Sequence, residues 1–270
     1  MPHKIGVIGF GNIAKAIITP LLDKNFLEPE EIVCLVNTKE SYENLKTHYK
    51  HKIKILYSSS PDINLVWNCP IKILSVKPQQ LKDIKEFSSN QFKKDILISI
   101  LAGVSLKKLS VKFPNHNCVR VVTNIPITIG KGLTGISWSH EIEDHNKIFI
   151  KNIFENSSKV FEFSEEYLDI FLALTSSSPA IIALIIEALG DGGLSGGLSK
   201  RLSEELVIEM ILGTVLMLKD SSFSTSDLKN TVTSPGGTTI AALRILEKKG
   251  LRSALIESIM EAMNKSKEFG

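Results

Sequence analysis

The stretch Lys4–Ile17, KIGVIGFGNIAKAI, decides the fold of the N-terminal part of this 270-residue chain. Its apolar start predicts a buried strand, and the residues from Asn12 onward predict a helix. Between them lies Gly-x-Gly-x-x-Ala, which matches the fingerprint of a strand, turn and helix that bind a dinucleotide. We expect Gly9 to form the tight turn and Gly11 to admit a pyrophosphate to the backbone amides at the helix start. The predicted cofactor-binding residues here are Gly9, Phe10, Gly11, Asn12 and Ile13.

Short apolar runs alternate with helical stretches up to about residue 163. After the first strand these runs are EIVCLVN, HKIKILY, IKILSVK, DILISILAG and CVRVVTN. Such alternation is typical of a parallel sheet covered by helices on both faces. From Tyr167 onward apolar residues recur at spacings of three and four, which predicts helices alone. We therefore expect an α/β fold, with a Rossmann-type dinucleotide-binding domain at residues 1–163 and an all-helical dimerisation and substrate-binding domain at residues 164–270.

The helical part is expected to associate with a second copy of the chain. Its helices are apolar on broad faces, and a region of this size cannot bury all of that surface by itself. The glycine-rich segment GDGGLSGGLS at 190–199 is expected to end one helix and link it to the next. The apolar run PAIIALIIEALG at 179–190 contains Glu187 and falls short of the ~20 residues that a membrane span needs. We expect a homodimer that does not enter a membrane.

Charge and cysteine content exclude several classes of function. The chain has 32 basic and 29 acidic residues without a long basic run, which argues against a nucleic-acid partner. Its three cysteines, Cys34, Cys69 and Cys118, are widely spaced, so neither a disulfide framework nor a zinc site is expected. The N-terminal residues lack the cleavage site of a signal peptide. These features predict a cytoplasmic protein without a metal.

The residues after the second predicted strand bear on the choice of nicotinamide cofactor. Sites that prefer NAD commonly place an acidic side chain there, against the ribose 2′-hydroxyl. This chain instead has Asn37, Thr38 and Lys39, and polar donors with a cation suit a 2′-phosphate. Lys39 would look the same if it were only a solvated surface lysine. We expect NADPH to bind at these residues, with NADH as the alternative.

Five stretches, taken in order, resemble the pyrroline-5-carboxylate reductase family. They are GVIGFGNIAKAI, ILSVKPQQL, ISILAGVSL, RVVTNIP and TSPGGTTIAALRILEKKGLRSALIESIMEA, and the match covers nearly the whole chain. The resemblance implies reduction of 1-pyrroline-5-carboxylate to L-proline by NADPH, the last step of proline biosynthesis. It also implies a helical domain that interlocks with that of a partner in a dimer, and such dimers often assemble further.

The resemblance assigns roles to particular positions. In that family a Ser-Pro-Gly-Gly-x-Thr loop holds the substrate carboxylate through backbone amides and hydroxyls. The matching positions are Ser234, Pro235, Gly236, Gly237, Thr238 and Thr239, with Thr239 as the catalytic residue that hydrogen-bonds the ring nitrogen. Along the cofactor toward the nicotinamide would lie Val76, Lys77, Pro78, Ala102, Gly103 and Asn124. Without the resemblance, the same loop is an ordinary capped helix start.

The residue inventory agrees with imine reduction. All six histidines precede residue 146, so the helical domain offers no imidazole as a general acid. A cyclic imine that binds protonated needs little acid catalysis, because hydride transfer to its carbon gives the amine directly. A threonine hydroxyl that relays a proton to water would suffice, whereas a ketone would need a stronger proton donor.

Two segments depart from the family's usual sequence. Val122-Thr123-Asn124 stands where the family writes Met-Pro-Asn, and Ser176-Ser177-Ser178 stands where it writes Gly-Ser-Gly. Serine in place of glycine at a helix entrance adds bulk and restricts φ, or it caps the helix that Pro179 begins. Two alternatives therefore stay open: a reductase of a related cyclic imino acid in another pathway, and a non-catalytic NADPH-binding paralogue.

A 3-hydroxyacid dehydrogenase would share the layout of a Rossmann domain followed by helices. That family would show a catalytic lysine with an asparagine one turn later, but Lys200 is followed at that place by Glu204. The sequence therefore disfavours this alternative and places Lys200 at a helix start.

Overall fold

The computed structural model describes residues 3–85, 95–139, 142–220 and 222–268. In these residues an eight-stranded sheet has the order β3-β2-β1-β4-β5-β6-β7-β8. The strands are β1 (Ile5–Ile8), β2 (Ile32–Val36), β3 (Lys54–Tyr57), β4 (Ile71–Leu74), β5 (Asp95–Ser99), β6 (His116–Thr123), β7 (Gly132–Trp138) and β8 (Ser158–Glu162). The helices of this part are α1 (Asn12–Asp23), α2 (Lys39–His48), α3 (Asn64–Trp67), α4 (Leu106–Lys112), α5 (Asp144–Glu155) and α6 (Leu168–Leu172). The predicted α/β class is confirmed.

The sheet is parallel apart from the pairing of β6 with β7, which is antiparallel. A short 3-10 helix, Ile125–Ile129, joins β6 to β7. This connection is too short for a crossover, so β7 has to run back alongside β6. The six strands predicted from the sequence are present, and β7 and β8 extend the sheet beyond them.

The strands bury side chains on both faces of the sheet. In β1, Ile5 and Val7 belong to one apolar cluster while Ile8 belongs to the cluster on the opposite face. In β5, Ile98 and Leu97 divide in the same way. Helices α1 and α5 contribute to the first cluster, and α3 and α4 contribute to the second. This two-sided burial explains why the strands are apolar at successive positions.

His116 begins β6 and is buried beside two aromatic rings. The ring centroids of Trp67 and Phe113 lie 6.1 and 6.2 Å from the imidazole, both edge-on. Burial, and then the nearby Lys72 ammonium, lower the pKa of His116 to about 4, and Asp95 acts in the opposite direction. The folded protein therefore holds this imidazole neutral.

We expect the free energy of unfolding to decrease as the pH falls from about 6.5 toward 4. In this window the unfolded chain protonates His116, whereas the folded chain, with a pKa of about 4, does not. Above about pH 6.5, His116 is neutral in both states and does not lower the stability of the fold. Below about pH 4, the free energy of unfolding is lower by at most ~3 kcal/mol because of this histidine. Urea denaturation of the wild type and His116→Phe at several pH values checks this. The variant should show a weaker pH dependence, and equal dependence would contradict the prediction.

The chain divides into two compact units. Residues up to Ser176, with the end of the chain from Ala262, form one unit, and Ser177–Glu261 form the other. The later helices are α7 (Ser178–Ser195), α8 (Lys200–Asp220), α9 (Thr225–Thr231), α10 (Thr238–Lys248) and α11 (Leu251–Glu268). The described residues after Glu162 contain no strand, as the sequence predicted.

The second unit leaves many large apolar side chains exposed. On α7 and α8, Leu184 is 62% exposed, Leu206 52% and Val215 53%. These side chains recur along both helices, so the uncovered surface is extensive rather than scattered. A surface of this kind marks an interaction site.

The helical run Glu165–Ser195 is longer than the apolar run recognised in the sequence. It has 31 residues, and its most apolar 18-residue window has a mean hydropathy of 1.9 with 17% of the window buried. By length and composition it could cross a membrane. One such helix is weak evidence for a membrane protein, since helices of soluble proteins also meet this criterion.

The prediction that the glycine-rich segment 190–199 is a linker is wrong for its first half. Helix α7 continues through it to Ser195, and only 196–199 connect α7 to α8. A Cβ on Gly193 would lie 2.7 Å from the Ser203 hydroxyl oxygen, and one on Gly190 would lie 3.2 Å from a side-chain carbon of Glu204. These glycines therefore allow close packing of α7 on α8 rather than ending the helix.

Candidate active site

The structure brings the predicted cofactor-binding residues to one edge of the sheet. Strands β2, β1, β4, β5 and β6 are neighbours in that order and run parallel, so their carboxyl ends lie side by side. The residues that follow these ends are, in the same order, 37–39, 9–13, 76–78, 102–103 and 124. The chain order of the strands reverses between β1 and β4, and dinucleotides bind in the crevice at such a switch point.

The first turn has the geometry that the fingerprint predicts. Gly9 has a φ of +86°, and a Cβ there would lie 2.5 Å from the Ser75 carbonyl oxygen. Gly11, by contrast, has no atom within 4 Å of an ideal Cβ. Gly11 is also the N-cap of α1, and no side chain caps this helix. The first N–H groups of α1 are therefore available to a pyrophosphate.

The two apolar residues of the fingerprint, Phe10 and Ile13, anchor the turn in the apolar core. Phe10 is buried and packs edge-on against Tyr49, with ring centroids 5.1 Å apart. Ile13 is partly buried against the same apolar cluster. Phe10 can therefore contribute to a cofactor site through its main chain, while Asn12 and Gly11 are exposed.

The residues after β2 form a polar, exposed helix start. Thr38 caps α2, because its hydroxyl oxygen accepts the Ser41 N–H at 3.1 Å. The Ser58 hydroxyl donates to the Asn37 carbonyl oxygen at 2.7 Å and fixes the turn. Lys39 is the first residue of α2 and is exposed. A cation beside the N-terminal end of a helix suits a phosphate.

Replacing Lys39 with glutamate is expected to shift the preference from NADPH toward NADH by about tenfold or more, measured as the ratio of kcat/KM values. A carboxylate there would repel a 2′-phosphate across a few ångströms at the protein surface, an effect of about 1–2 kcal/mol. Lys46→Glu makes the same charge change at the other end of α2 and is the control. An unchanged ratio for Lys39→Glu would mean that the 2′-phosphate is held elsewhere.

The loops after β4 and β5 are tied to their neighbours where each strand ends. The Ser75 N–H donates to the Ile8 carbonyl oxygen at 2.8 Å, and the Ile100 N–H donates to that of Leu74 at 3.0 Å. After these anchors come the predicted cofactor residues Val76, Lys77 and Pro78 in one loop and Ala102 and Gly103 in the other. Lys77 and Ala102 are exposed, and Gly103 has a φ of +71°.

Asn124, at the end of β6, is buried and bonded to a π-helical turn at Ala173–Ser177. Its side-chain oxygen accepts the Leu133 N–H at 2.8 Å, and its Nδ2 donates to the Thr175 carbonyl oxygen at 3.1 Å. Pro179, four residues after Thr175, has no N–H to offer that carbonyl. Asn124 thus supplies the missing donor. Its role along the cofactor stays a prediction.

The two departures from the family's usual sequence meet in space. The Ser176 hydroxyl donates to the Thr123 carbonyl oxygen at 3.0 Å. The chain is helical on both sides of 176–178, so the expectation of a helix entrance capped by these serines is wrong. Pro179 has no N–H for the α-helical hydrogen-bond pattern, so the sequence did not predict one continuous helix here. The π-helical turn nevertheless joins α6 to α7 without a break.

The predicted substrate loop forms a tight turn before α10. The Gly237 N–H donates to the Ser234 carbonyl oxygen at 3.1 Å, with Pro235 second in the turn and Gly236 third. Gly236 has a φ of +72°, as the third residue of a type II turn requires. The positive φ favours glycine at 236, whereas a Cβ on Gly237 would lie 2.5 Å from the Ser234 hydroxyl oxygen, an atom that can rotate away.

The start of α10 is open to a ligand. Gly237 is the N-cap of this helix, and no side chain caps it. Thr238 and Thr239 are its first two residues; Thr238 is exposed and Thr239 is half-buried. Uncapped N–H groups with adjacent hydroxyls suit a carboxylate.

Other features bear on the alternatives. Lys200 pairs with Asp191 at 2.6 Å and with Glu204 at 3.3 Å, which fits a surface ion pair at the start of α8. Among the described residues no group of three or more His, Cys, Asp or Glu side chains could hold a metal ion. The three cysteines are buried, and none of them forms a disulfide.

An ionic network surrounds Arg120, and the sequence pattern did not predict it. Arg120 lies in β6, is 3% exposed and pairs with Glu165 and Asp169. An arginine within the apolar run CVRVV was the available signal, because a buried charge has to find partners.

Comparison with known proteins covers the whole chain. The family described as pyrroline-5-carboxylate reductase dimerisation matches residues 165–269, and the one described as NADP oxidoreductase, coenzyme F420-dependent, matches residues 4–103. A pyrroline-5-carboxylate reductase of Synechocystis sp. is 35% identical over 100% of this chain and 99% of its own length.

Solved structures give the same result. Pyrroline carboxylate reductase of Plasmodium falciparum, crystallised with NADP bound, superposes with a TM-score of 0.85 at 28% identity, covering 99% of this chain and 98% of that one. The 1-pyrroline-5-carboxylate reductase of Streptococcus pyogenes superposes with a TM-score of 0.86 at 30% identity, covering 98% of each chain.

Proposed function

The chain belongs to the pyrroline-5-carboxylate reductase family, and from this premise we infer that it reduces 1-pyrroline-5-carboxylate to L-proline with NADPH, the last step of proline biosynthesis. It is an oxidoreductase that acts on a C=N bond. The observation that carries the substrate assignment is the turn Ser234–Gly237 with the uncapped start of α10 behind it. That arrangement offers several N–H donors to one carboxylate without an acidic side chain in the turn.

We propose that the substrate carboxylate binds the N–H groups at the start of α10, together with the hydroxyls of Ser234 and Thr238. The Thr239 hydroxyl then holds the ring nitrogen and orients the imine carbon. NADPH supplies the hydride when it is bound. The protein's contribution is to fix orientation and to place hydrogen-bonding groups around the developing charge, which suits a reaction without a strong general acid.

We propose that Gly9, Phe10, Gly11, Asn12 and Ile13 bind the pyrophosphate region, and that Asn37, Thr38 and Lys39 bind the 2′-phosphate. The loops at 76–78 and 102–103 and Asn124 then follow the cofactor toward the nicotinamide. The shared sheet edge and the uncapped α1 support this assignment. We retain 1–163 and 164–270 as the domain division, which the dimerisation-family match from residue 165 supports.

We propose that the helical domain forms a homodimer. The dimerisation-family match and the exposed apolar side chains of α7 and α8 support this. A partner over these helices also accounts for the apolarity of the run Glu165–Ser195 without a membrane. We further propose a cytoplasmic location, and assembly of dimers into a larger homo-oligomer as the family resemblance implies.

The first test is oxidation of NADPH by the purified protein with 1-pyrroline-5-carboxylate. Parallel reactions contain the six-membered piperideine analogue or no imine. Turnover of the five-membered ring with formation of proline is the expected result. Turnover of the analogue alone would identify a reductase of a related imino acid, and tight NADPH binding without turnover would identify a non-catalytic paralogue.

Replacing Thr239 with alanine is expected to lower kcat about tenfold while the Kd for NADPH changes little. The substitution removes one hydrogen bond to the ring nitrogen, worth about 1–1.5 kcal/mol in the transition state. Thr239→Ser keeps the hydroxyl and should retain most of the activity. Steady-state kinetics and NADPH titration check both variants. If Thr239→Ala turned over at the wild-type rate, Thr239 would have no catalytic role.

A further inference from the structure

The loop between β5 and α4, residues 100–105, is held at both of its ends. At its start, the Ile100 N–H donates to the Leu74 carbonyl oxygen at 3.0 Å. At its end, the Leu106 N–H donates to the Glu165 carboxylate at 2.6 Å. The second bond joins residues 59 apart in the sequence, and both lie in the first compact unit. Ala102 and Gly103 thus lie between two fixed points.

Glu165 is held in turn by a buried cation. The Arg120 Nη1 lies 3.3 Å from the same Glu165 oxygen that accepts the Leu106 N–H. The Arg120 Nη2 lies 2.7 Å from Asp169, and the Ser266 hydroxyl donates to that Asp169 oxygen at 2.9 Å. A guanidinium that is 3% exposed and bonded to two carboxylates leaves Glu165 little freedom.

We propose that Glu165 is a positioning residue that fixes the β5–α4 loop for cofactor binding. The proposal rests on the proposed function, in which Ala102 and Gly103 lie along the cofactor. A carboxylate at the start of α4 satisfies an N–H group that the helix cannot. Ala102 is exposed, whereas Leu101 and Val104 are each 1% exposed and pack in the apolar cluster on this face of the sheet, which restrains the loop on either side of Ala102. The bond to Glu165 adds a polar restraint at the end of the loop, where α4 begins.

Asp169 provides a matched control. Both carboxylates pair with Arg120, but the Leu106 N–H is bound by Glu165. Removing either charge disturbs the ionic network, whereas removing Glu165 also releases the loop. A purely structural role for Glu165 would make the two substitutions equivalent.

The test measures the Kd for NADPH by fluorescence titration and the hydrogen exchange of residues 100–108 in the protein without NADPH. For Glu165→Ala we expect a Kd about tenfold higher and faster exchange of this segment, since one charge-assisted hydrogen bond is lost. Glu165→Gln keeps an acceptor oxygen and should stay within about twofold of the wild type. Asp169→Asn should lower thermal stability while the Kd and the exchange of 100–108 stay near the wild-type values.

Equal changes in Kd and exchange for Glu165→Ala and Asp169→Asn would overturn the proposal, as would no change for Glu165→Ala. If Glu165→Ala fails to fold, Glu165→Gln replaces it in the test. This variant keeps an acceptor for the Leu106 N–H, so exchange at Leu106 should stay normal although the charge is lost, and fast exchange there would contradict the proposal. Failure of the wild type to bind NADPH would overturn the proposed function and this proposal together. If the wild type binds NADPH but Glu165→Ala and Asp169→Asn change the Kd and the exchange equally, this proposal alone would be overturned.

Discussion

Replacing Gly9 with alanine is expected to destabilise the protein by about 2–5 kcal/mol and to abolish tight NADPH binding. Two costs add here: a non-glycine residue at positive φ costs about 1–2 kcal/mol, and overpacking costs about 1–3 kcal/mol. At Gly9 the φ is +86°, and the clash is with the Ser75 carbonyl oxygen at 2.5 Å, a main-chain atom that cannot rotate away. Relief requires the turn after β1 or the loop after β4 to move.

Gly11→Ala is the matched variant. Its Cβ meets no atom within 4 Å, so thermal stability should stay near that of the wild type. The added methyl group would occupy the space through which we propose that the pyrophosphate approaches α1, and we expect NADPH affinity to fall about 10–100-fold, the equivalent of one or two charge-assisted hydrogen bonds. Denaturation and NADPH titration of both variants check the pair. If Gly11→Ala bound NADPH normally, the pyrophosphate would not lie at this helix start.

Replacing Arg120 with alanine is expected to lower the free energy of unfolding by up to about 3 kcal/mol, because it leaves two partly buried carboxylates without their cation. Arg120 is 3% exposed, and it contacts Glu165 and Asp169 from β6. Arg120→Lys keeps the charge but cannot bond two carboxylates as a planar fork, so we expect an intermediate loss.

Urea denaturation measures these losses, with Arg252→Ala as the surface control. Arg252 pairs with Glu247, but both side chains are more than half exposed, so its removal should have a much smaller effect. A loss at Arg120 no larger than that at Arg252 would show that the buried network contributes little to stability. Arg120→Ala should also speed hydrogen exchange in residues 100–108, since Arg120 would no longer hold Glu165 in place.

Local sequence features were sufficient wherever neighbouring residues determine the conformation. The apolar runs set the six parallel strands, and the two glycines of the fingerprint set the turn before α1. The turn at Ser234–Gly237 was likewise predictable from the sequence, because proline fixes φ at the second position of a type II turn and glycine permits the positive φ at the third. The same local signals placed the candidate cofactor residues 9–13 and 37–39 after predicted strands, whereas the family resemblance assigned the other candidate cofactor residues.

Contacts between distant residues were not readable from the sequence. The glycines at 190–193 look like a linker in isolation, but close packing against Ser203 and Glu204 keeps them in α7. The serines at 176–178 look like caps, but Asn124 and Thr123, about fifty residues away, support a π-helical turn there. In each case a remote partner decides the conformation.

The sequence by itself determined the fold class and the conformations of the glycine turn before α1 and of the turn at Ser234–Gly237, because hydrophobic period, glycine and proline act over a few residues. Only the tertiary structure decided the course of the chain through 173–195 and the attachment of Leu106 to Glu165, which Arg120 holds in turn. These features depend on hydrogen bonds and charges whose partners lie tens of residues apart. Such partners come together only in the folded chain, so no local pattern encodes them.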